Sequence, residues 1–581
     1  MTGAGAVTGA VSGSGPRLLA RTAVHLTPRQ AASRARLRAQ RRALARWPGA
    51  GARLLAGPDP ARATGWPAGF VPLDGRASLP WPDRAWLDCG KIELLGMARE
   101  LGEPADWQQR DAPRLWRFHL HYWDWAWSLA AADGQPAAAQ LFARLWRSWQ
   151  ESAAPGGDAW LPYPAALRAW SWCGQYSGLV AGTGIEADFV AGLARHAGFL
   201  RRHLEYDVGG NHLIKGLKAL AGLAVFFADD RLLRQVLGRL TRQLAVQVLP
   251  DGGHFERAPA YHCQVLADLI DVSGLLAAAA AQQPPELDGV ISRMRAWLGA
   301  VLTPGDQVPL LNDGYPVPPG LITALEPGPR PGPGEPLVTL PDTGLVRASA
   351  AGWQLLADVG APCPAQLPAH AHADTLGCLL HADGIPLLVD TGTSTYERGP
   401  VRQHERSTAA HSTVTVDGAD STEVWGAFRA GRRARVRDFA ARSDAGGVTV
   451  EAAHDGFRHL PGRPVHRRRW LLTADGLTVD DRVTGTGRHA VVVRWVLAPG
   501  TTVAVTTGGA VVTAPAADFE VAVSSDGPVS FEVATGAVAG GFLQAAAAPV
   551  LTCRAEVVLP AGITTSWRRA GEQADLTEEL T

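Results

Sequence analysis

The sequence predicts a two-part chain, a helical N-terminal half followed by a large antiparallel β-sandwich, and three observations carry that reading. From about Arg84 to Ala300, apolar residues recur at intervals of three and four. The segment EPGPRPGPGEP, residues 326 to 336, cannot continue a helix and reads as a linker. Beyond it the texture changes to short Val-, Thr- and Leu-rich runs separated by turn dipeptides. At 581 residues the chain is too long for one ordinary core. The divisions read from these signals are a basic N-terminal segment (1–55), a helical domain (56–325), a Pro/Gly linker (326–337), a sandwich (338–571) and an acidic tail (572–581).

Taken in order, Met1 to Pro16 is a Gly/Ala/Ser/Thr stretch with neither a basic start nor a continuous apolar run. No secretory signal is evident, so a cytoplasmic protein is expected, with periplasmic or secreted placement left open. Arg17 to Arg53 carries many arginines and no acid, among them Arg34, Arg36, Arg38, Arg41, Arg42 and Arg46. It reads as a solvated helical face packed along its apolar side, with contact to an anionic surface or polysaccharide as the alternative. Helical periodicity is clear in Ala138 to Trp149, Phe189 to Leu204, Leu213 to Phe227 and Leu232 to Val248. Successive helices with short Gly, Pro and Asp punctuation form antiparallel hairpins, compatible with a bundle or a toroid. Strand signals are scarce in this half.

The same half holds an aromatic run: Trp116, Phe118, Tyr122, Trp123, Trp125 and Trp127, then Trp146, Trp149, Trp160, Tyr163, Trp170 and Trp172. Core packing accounts for most of them, and two or three are expected to line a carbohydrate groove. In the second half, strand signals fall at Trp353 to Val359, Leu376 to Leu380, Ile385 to Val389, Thr413 to Val416, Val448 to Ala452, Trp470 to Leu472, Ala490 to Leu497 and Phe519 to Val523. Asp383-Gly384, Asp417-Gly418 and Asp475-Gly476 are hairpin turns between them.

Composition narrows the function. Net charge is zero with 19% charged residues, which excludes a global nucleic-acid binder and a disordered acidic protein. Six cysteines without a CxxC pair exclude a cysteine zinc site and a dense disulfide framework. No stretch is apolar for long enough to span a bilayer.

Three polar clusters stand out. In His370-Ala371-His372-Ala373-Asp374, the two histidines project from the same side of an extended segment. An apolar hairpin then returns to Asp390, and His411 follows, so nitrogen and oxygen ligands can converge on one ion of the zinc type. An HxH pair alone is equally at home as ordinary polar loop residues. The second cluster, Gly209-Gly210-Asn211-His212, leads into an apolar helix, with Asn211 as a plausible N-cap. The third, Gly252 to His262, also places a glycine turn before a helix, and its Glu256 and Arg257 suit a plain ion pair.

In combination these clusters resemble the heparinase II/III-like polysaccharide lyases and their alginate lyase relatives. The matching pieces are GGNHLIKGLKAL, GGHFERAPAYHCQVLADL, LNDGY and the stretch from His370 to Gly418 that begins HAHADTLGCLLHADG. The resemblance spans roughly residues 80 to 480. It implies an incomplete α/α toroid followed by an antiparallel β-sandwich, with a cleft between them where uronic-acid-containing polysaccharides are broken by β-elimination. It places Tyr261 as the proton donor to O4, with a second role as base left open, and Asn211 on the substrate carboxylate. His212 would take the C5 proton, and His370 would neutralise the carboxylate or polarise Tyr261. It carries over His372, Asp390 and His411 as ligands of a mainly structural divalent metal, zinc in the first place and calcium as the alternative.

Arg402 and Arg406 suit bidentate binding of acidic sugars, or structural salt bridges. Tyr396 is a weaker candidate for the same wall, and Glu256 resembles a retained acidic position without an assigned role. The partner implied is an acidic polysaccharide, with no nucleic acid, no membrane span and the oligomeric state open. Two other readings stand beside the lyase: a non-catalytic polysaccharide-binding or exopolysaccharide assembly protein, and a glycan hydrolase using Glu256 and Asp313 as paired acids.

Overall fold

The structure, a computed structural model, describes residues 15–47, 55–76, 82, 84–130, 135–153, 157–332 and 334–571. Residues 1–14 and 48–54 of the basic segment, and the acidic tail 572–581, lie outside the described residues.

The helical half is a ring of paired helices. Helices Pro162–Leu179, Gly210–Phe226 and Pro259–Ala278 pack side by side as an inner layer, and Gln135–Ser152, Glu186–His203, Asp230–Gln247 and Leu287–Val301 pack outside them. Inner and outer helices alternate along the chain, which selects a toroid over a bundle. Burial follows the layer. Gly210–Phe226 is buried nearly all round, whereas Asp230–Gln247 buries one stripe, Leu232, Leu233, Val236, Leu237, Leu240 and Leu244. One hairpin, Lys91–Leu94 with Met97–Glu100, interrupts the helical texture; its two-residue turn, Leu95-Gly96, has both φ angles positive.

The aromatic run requires a correction. Trp116, Trp123, Trp125, Trp127, Trp146, Trp149, Trp160, Trp170 and Trp172 are all buried, all but Trp127 in one core cluster, which assigns them to packing. Trp123 contacts Trp107, Trp125, Trp149 and Trp172 by ring packing. Arg168, fully buried, lies 4.4 Å above the Trp149 ring and donates to the His121 and Ala159 carbonyls. Of the run only Phe118 and Tyr163 keep partial exposure.

The linker is packed rather than free: the Gly328 amide donates to the Arg295 carbonyl at 2.7 Å. After it come three large antiparallel sheets and a two-stranded one, Val424–Trp425 with Arg429–Ala430. Five strands from Leu337–Leu340 to Ile385–Leu388 pair in sequence order. An eight-stranded sheet runs from Val436–Asp444 through Val465–Thr473, Gly476–Thr484 and Ala561–Arg569 to Thr502–Thr506. A four-stranded sheet is formed by Val529–Gly541, Gln544–Val558, Arg488–Val496 and Val414–Val416. Alternation is plain in Val465–Thr473, where His466, Arg468, Trp470 and Leu472 face inward. A shared core containing Trp353, Trp470, Trp495 and Trp567 joins the layers.

The basic N-terminal segment forms helices Pro16–Ala23 and Pro28–Arg46. In the second, Gln30, Ser33 and Leu37 are buried along one stripe, and Arg36, Arg38 and Arg42 face solvent. Among the described residues no helix is long and apolar enough to cross a membrane.

Candidate active site

Inner helices of the toroid begin where the sandwich loops meet them, and their first turns carry Tyr163, Asn211 with His212, and Tyr261. Helix N-termini favour anions, and the one that carries Asn211 is met by the Glu256 carboxylate. The local fold at Asn211 depends on glycine. Gly210 has φ +54, and a β-carbon there would lie 1.7 Å from Glu256 Oε1. Asn211 is not the N-cap; that position is Gly209, which has no side chain to offer. Glu256 replaces it from 45 residues away, accepting from the Asn211 amide at 2.8 Å and from Asn211 Nδ2 at 2.9 Å. Asn211 Oδ1 is buried without a partner.

His212 Nδ1 lies 2.9 Å from Glu205 Oε2, and its ring packs against Tyr163 at 4.3 Å between centroids. With Nδ1–H donated to the carboxylate, Nε2 carries a lone pair, and the side chain is 32% exposed. Tyr261 is nearly buried, its ring stacked on His370 at 3.9 Å and its hydroxyl 2.5 Å from that of Tyr396. Burial, then the neighbouring Tyr396, hold its phenol well above the ordinary value, so it rests protonated.

His370 donates from Nδ1 to Asp313 at 2.9 Å and pairs through Nε2 with Glu256 at 3.2 Å. Burial alone would depress its pKa, yet the Glu256 and Asp313 carboxylates raise it to about 9. Both ring nitrogens are therefore committed, and His370 is a fixed cation behind Tyr261 rather than a free donor to a substrate carboxylate.

Asp313 is the hub. Fully buried, it accepts from His370, from His372 Nε2 at 2.9 Å, from Thr393 at 3.1 Å and from both terminal nitrogens of Arg402. Arg402 also donates to the Ala427 carbonyl, and Arg406 donates to the Ala371 and Gly426 carbonyls. Both arginines are buried, so the expectation that they bind acidic sugars is corrected: their charge is spent inside the protein. Glu256 likewise faces Asn211 and His370, not a sugar. Tyr396 stands beside Tyr261, hydroxyl to hydroxyl, with the Arg402 guanidinium 5.0 Å from its ring. The paired-acid alternative fails on geometry, because Glu256 and Asp313 are both buried and bridged by His370.

Sequence reasoning missed Glu205, Gln264 and Phe542, while Tyr163, a member of the aromatic run, packs against His212. Tyr315, which contacts Gln264, lies in the LNDGY motif beside Asp313 and had a visible signal there.

His372, Asp390 and His411 bring ligand atoms within 4.8 Å of one another, all buried. His411 Nδ1 is 2.9 Å from Asp390 Oδ2, while His411 Nε2 and His372 Nδ1 are buried without partners. Two orphaned imidazole nitrogens beside a carboxylate fit a metal, since such atoms are costly left unpaired.

A paired-helix toroid on an antiparallel sandwich gathers tyrosine, histidine and asparagine at their junction, a set suited to acid–base work on a sugar polymer. Comparison agrees at the level of sequence. The heparinase II/III N-terminus family matches residues 98–322, and the heparinase II/III-like C-terminal family matches residues 332–563. The chain belongs to the heparinase II/III-like family. It is 27% identical over 419 residues to FtsZ-localized protein C of Caulobacter vibrioides, covering 68% of this chain and 69% of that protein. Among solved structures, heparinase III superposes with a TM-score of 0.69 at 15% identity, covering 82% of this chain and 80% of that one. Heparan sulfate lyase HepC from Pedobacter heparinus, a mutant form, superposes with a TM-score of 0.61 at 18% identity, covering 94% and 90%.

Proposed function

We propose that this chain cleaves a uronic-acid-containing polysaccharide by β-elimination, with His212 as base and Tyr261 as acid. The observation that carries the reading is the His212–Glu205 pair and the protonated Tyr261, each in the first turn of one of two inner helices packed side by side. His212 Nε2 takes the C5 proton, the C5–H electrons form the C4=C5 double bond, and the C4–O4 bond breaks. Tyr261 supplies the proton to the departing O4. Its high pKa suits the acid role and argues against its acting first as base. Glu256 occupies the helix start at Asn211 and both ring nitrogens of His370 are paired, so these groups act on the reaction by fixing the Asn211 amide group and the ring stacked on Tyr261. Asn211 Oδ1 is an open acceptor, fitted to a protonated carboxyl or a hydroxyl.

His372, Asp390 and His411 would hold a divalent metal of the zinc type; two imidazoles suit zinc better than calcium. When bound, the ion would pin the loops bearing His370 and Tyr396 to the sandwich. Asp313 steadies His372 from the opposite side of its ring.

The test is ultraviolet absorbance with heparan sulfate, hyaluronan, alginate and bacterial acidic exopolysaccharides, comparing wild type with Tyr261→Phe. A rise on one polymer, lost in the variant, supports elimination and names the substrate class. The second reading, a binding or assembly protein that keeps the cleft, is favoured by the relative whose name describes localisation with FtsZ rather than catalysis. It predicts binding with no new double bond.

A further inference from the structure

The junction between toroid and sandwich is bridged on both sides of Tyr261. On the Tyr396 side stands the tip of the long hairpin Val529–Gly541 with Gln544–Val558. Phe542 lies between Tyr315 and Tyr396, 4.9 and 5.0 Å from their ring centres. The tip is tied to the loop after Asp390: the Ala539 amide donates to the Thr391 carbonyl at 2.8 Å and the Leu543 amide to the Ser394 carbonyl at 2.7 Å. It also reaches the toroid, where a β-carbon on Gly96 would lie 1.9 Å from Gln544 Nε2, so backbone and amide touch. Beside it Glu397 accepts from the Arg114 amide at 2.7 Å, at the start of helix Arg114–Tyr122.

On the His212 side the helix Pro28–Arg46 spans the same junction. Arg34 donates to the Asp207 carbonyl and Arg29 lies 4.6 Å above the Tyr206 ring, both on the segment that carries Glu205. From the same helix Gln30 donates to the Gln366 carbonyl of the sandwich at 3.1 Å. The preceding helix continues the bridge through Arg21 to Glu423 and through the Trp425 indole, which donates to Thr22.

An internally cutting lyase needs a groove open on both sides of the scissile bond. We propose that this site is instead a blind pocket, with Phe542 as its specificity-determining wall, and that the protein acts on chain ends. The inference rests on the lyase reading above and deepens it. Phe542 presents an apolar ring against a terminal sugar and, with Gln544 and Glu397, occupies the path that further sugars would follow.

The test follows viscosity and absorbance together on whichever polymer yields double bonds, with products sized by mass. Wild type is expected to release one short unsaturated product from the start while viscosity barely falls. Phe542→Ala with Gln544→Ala is expected to raise the viscosity lost per double bond severalfold and to produce a ladder of intermediate lengths. Early viscosity collapse with wild type, or an unchanged product profile in the folded double variant, overturns the proposal and leaves the lyase reading standing.

A second measurement does not need turnover. Full-length Tyr261→Phe is titrated with hyaluronan, heparan sulfate and alginate chains of defined length. One bound protein per chain at every length supports the pocket, and a number bound that grows with length overturns it. Neither binding nor cleavage of any polymer removes both readings together.

Discussion

Replacing Glu205 by glutamine tests the assignment of His212 with little change of shape. The pair is short, 2.9 Å from Nδ1 to Oε2, and Glu205 is nearly buried while His212 keeps about a third of its side chain exposed. In the native pair the carboxylate can only accept, so in the neutral imidazole Nδ1 carries the hydrogen and Nε2 the lone pair. A glutamine amide can also donate, which admits the opposite tautomer with Nε2–H facing the cleft and no base available. General acid–base groups contribute about 10²–10⁴-fold. The exposed ring can still be reoriented by water, so the low end applies, a loss of about 100-fold or ~2.7 kcal/mol in kcat/KM. The assay is the rate of double-bond formation, with the melting profile recorded to show that the fold is intact. Activity within about threefold of wild type would refute the reasoning, because tautomer control by Glu205 would then contribute almost nothing.

Other consequences are more structural. Arg402→Met leaves Asp313 buried without its bidentate partner, and about 3–5 kcal/mol of stability should be lost in chemical denaturation followed by tryptophan fluorescence; a loss under ~1 kcal/mol would contradict the hub. His411→Ala should abolish tightly bound metal measured by elemental analysis and lower the melting temperature, and chelation of wild type should lower it similarly. At Asp481, burial alone would raise the pKa, but Arg468 and His466 lower it to about 2. A depressed carboxylate stabilises the fold above its unfolded value and loses that contribution as pH falls. Roughly 2 kcal/mol should therefore disappear between about pH 4 and 2 in acid unfolding, and Asp481→Asn should flatten that slope.

Local periodicity made the helical half legible, because an apolar stripe every three to four residues survives in any tertiary setting. The choice of toroid over bundle was not legible from it, since that depends on which helices become neighbours. Asn211 shows the limit clearly: its position before an apolar run looks like a cap, yet the carboxylate that caps this helix comes from Glu256. Arg402 and Arg406 looked like sugar ligands because the sequence does not show that Asp313 and a set of backbone carbonyls enclose them. The tryptophans resembled a sugar groove for the same reason, and burial assigns them to the core. The hairpin bearing Phe542 has flanks rich in alanine and glycine, which carry little strand signal. The convergence of His372, Asp390 and His411 was more legible, because the hairpin Cys378–Ala382 with Ile385–Leu388 folds the chain back between the first two.

The measurement that bears most directly on the central claim is product mass after digestion in water enriched in heavy oxygen. Elimination adds no solvent oxygen, so the account predicts products one water lighter than hydrolysis fragments and free of the label. Incorporation of one labelled oxygen per cleavage, or binding of the polymer with no cleavage at all, would contradict it.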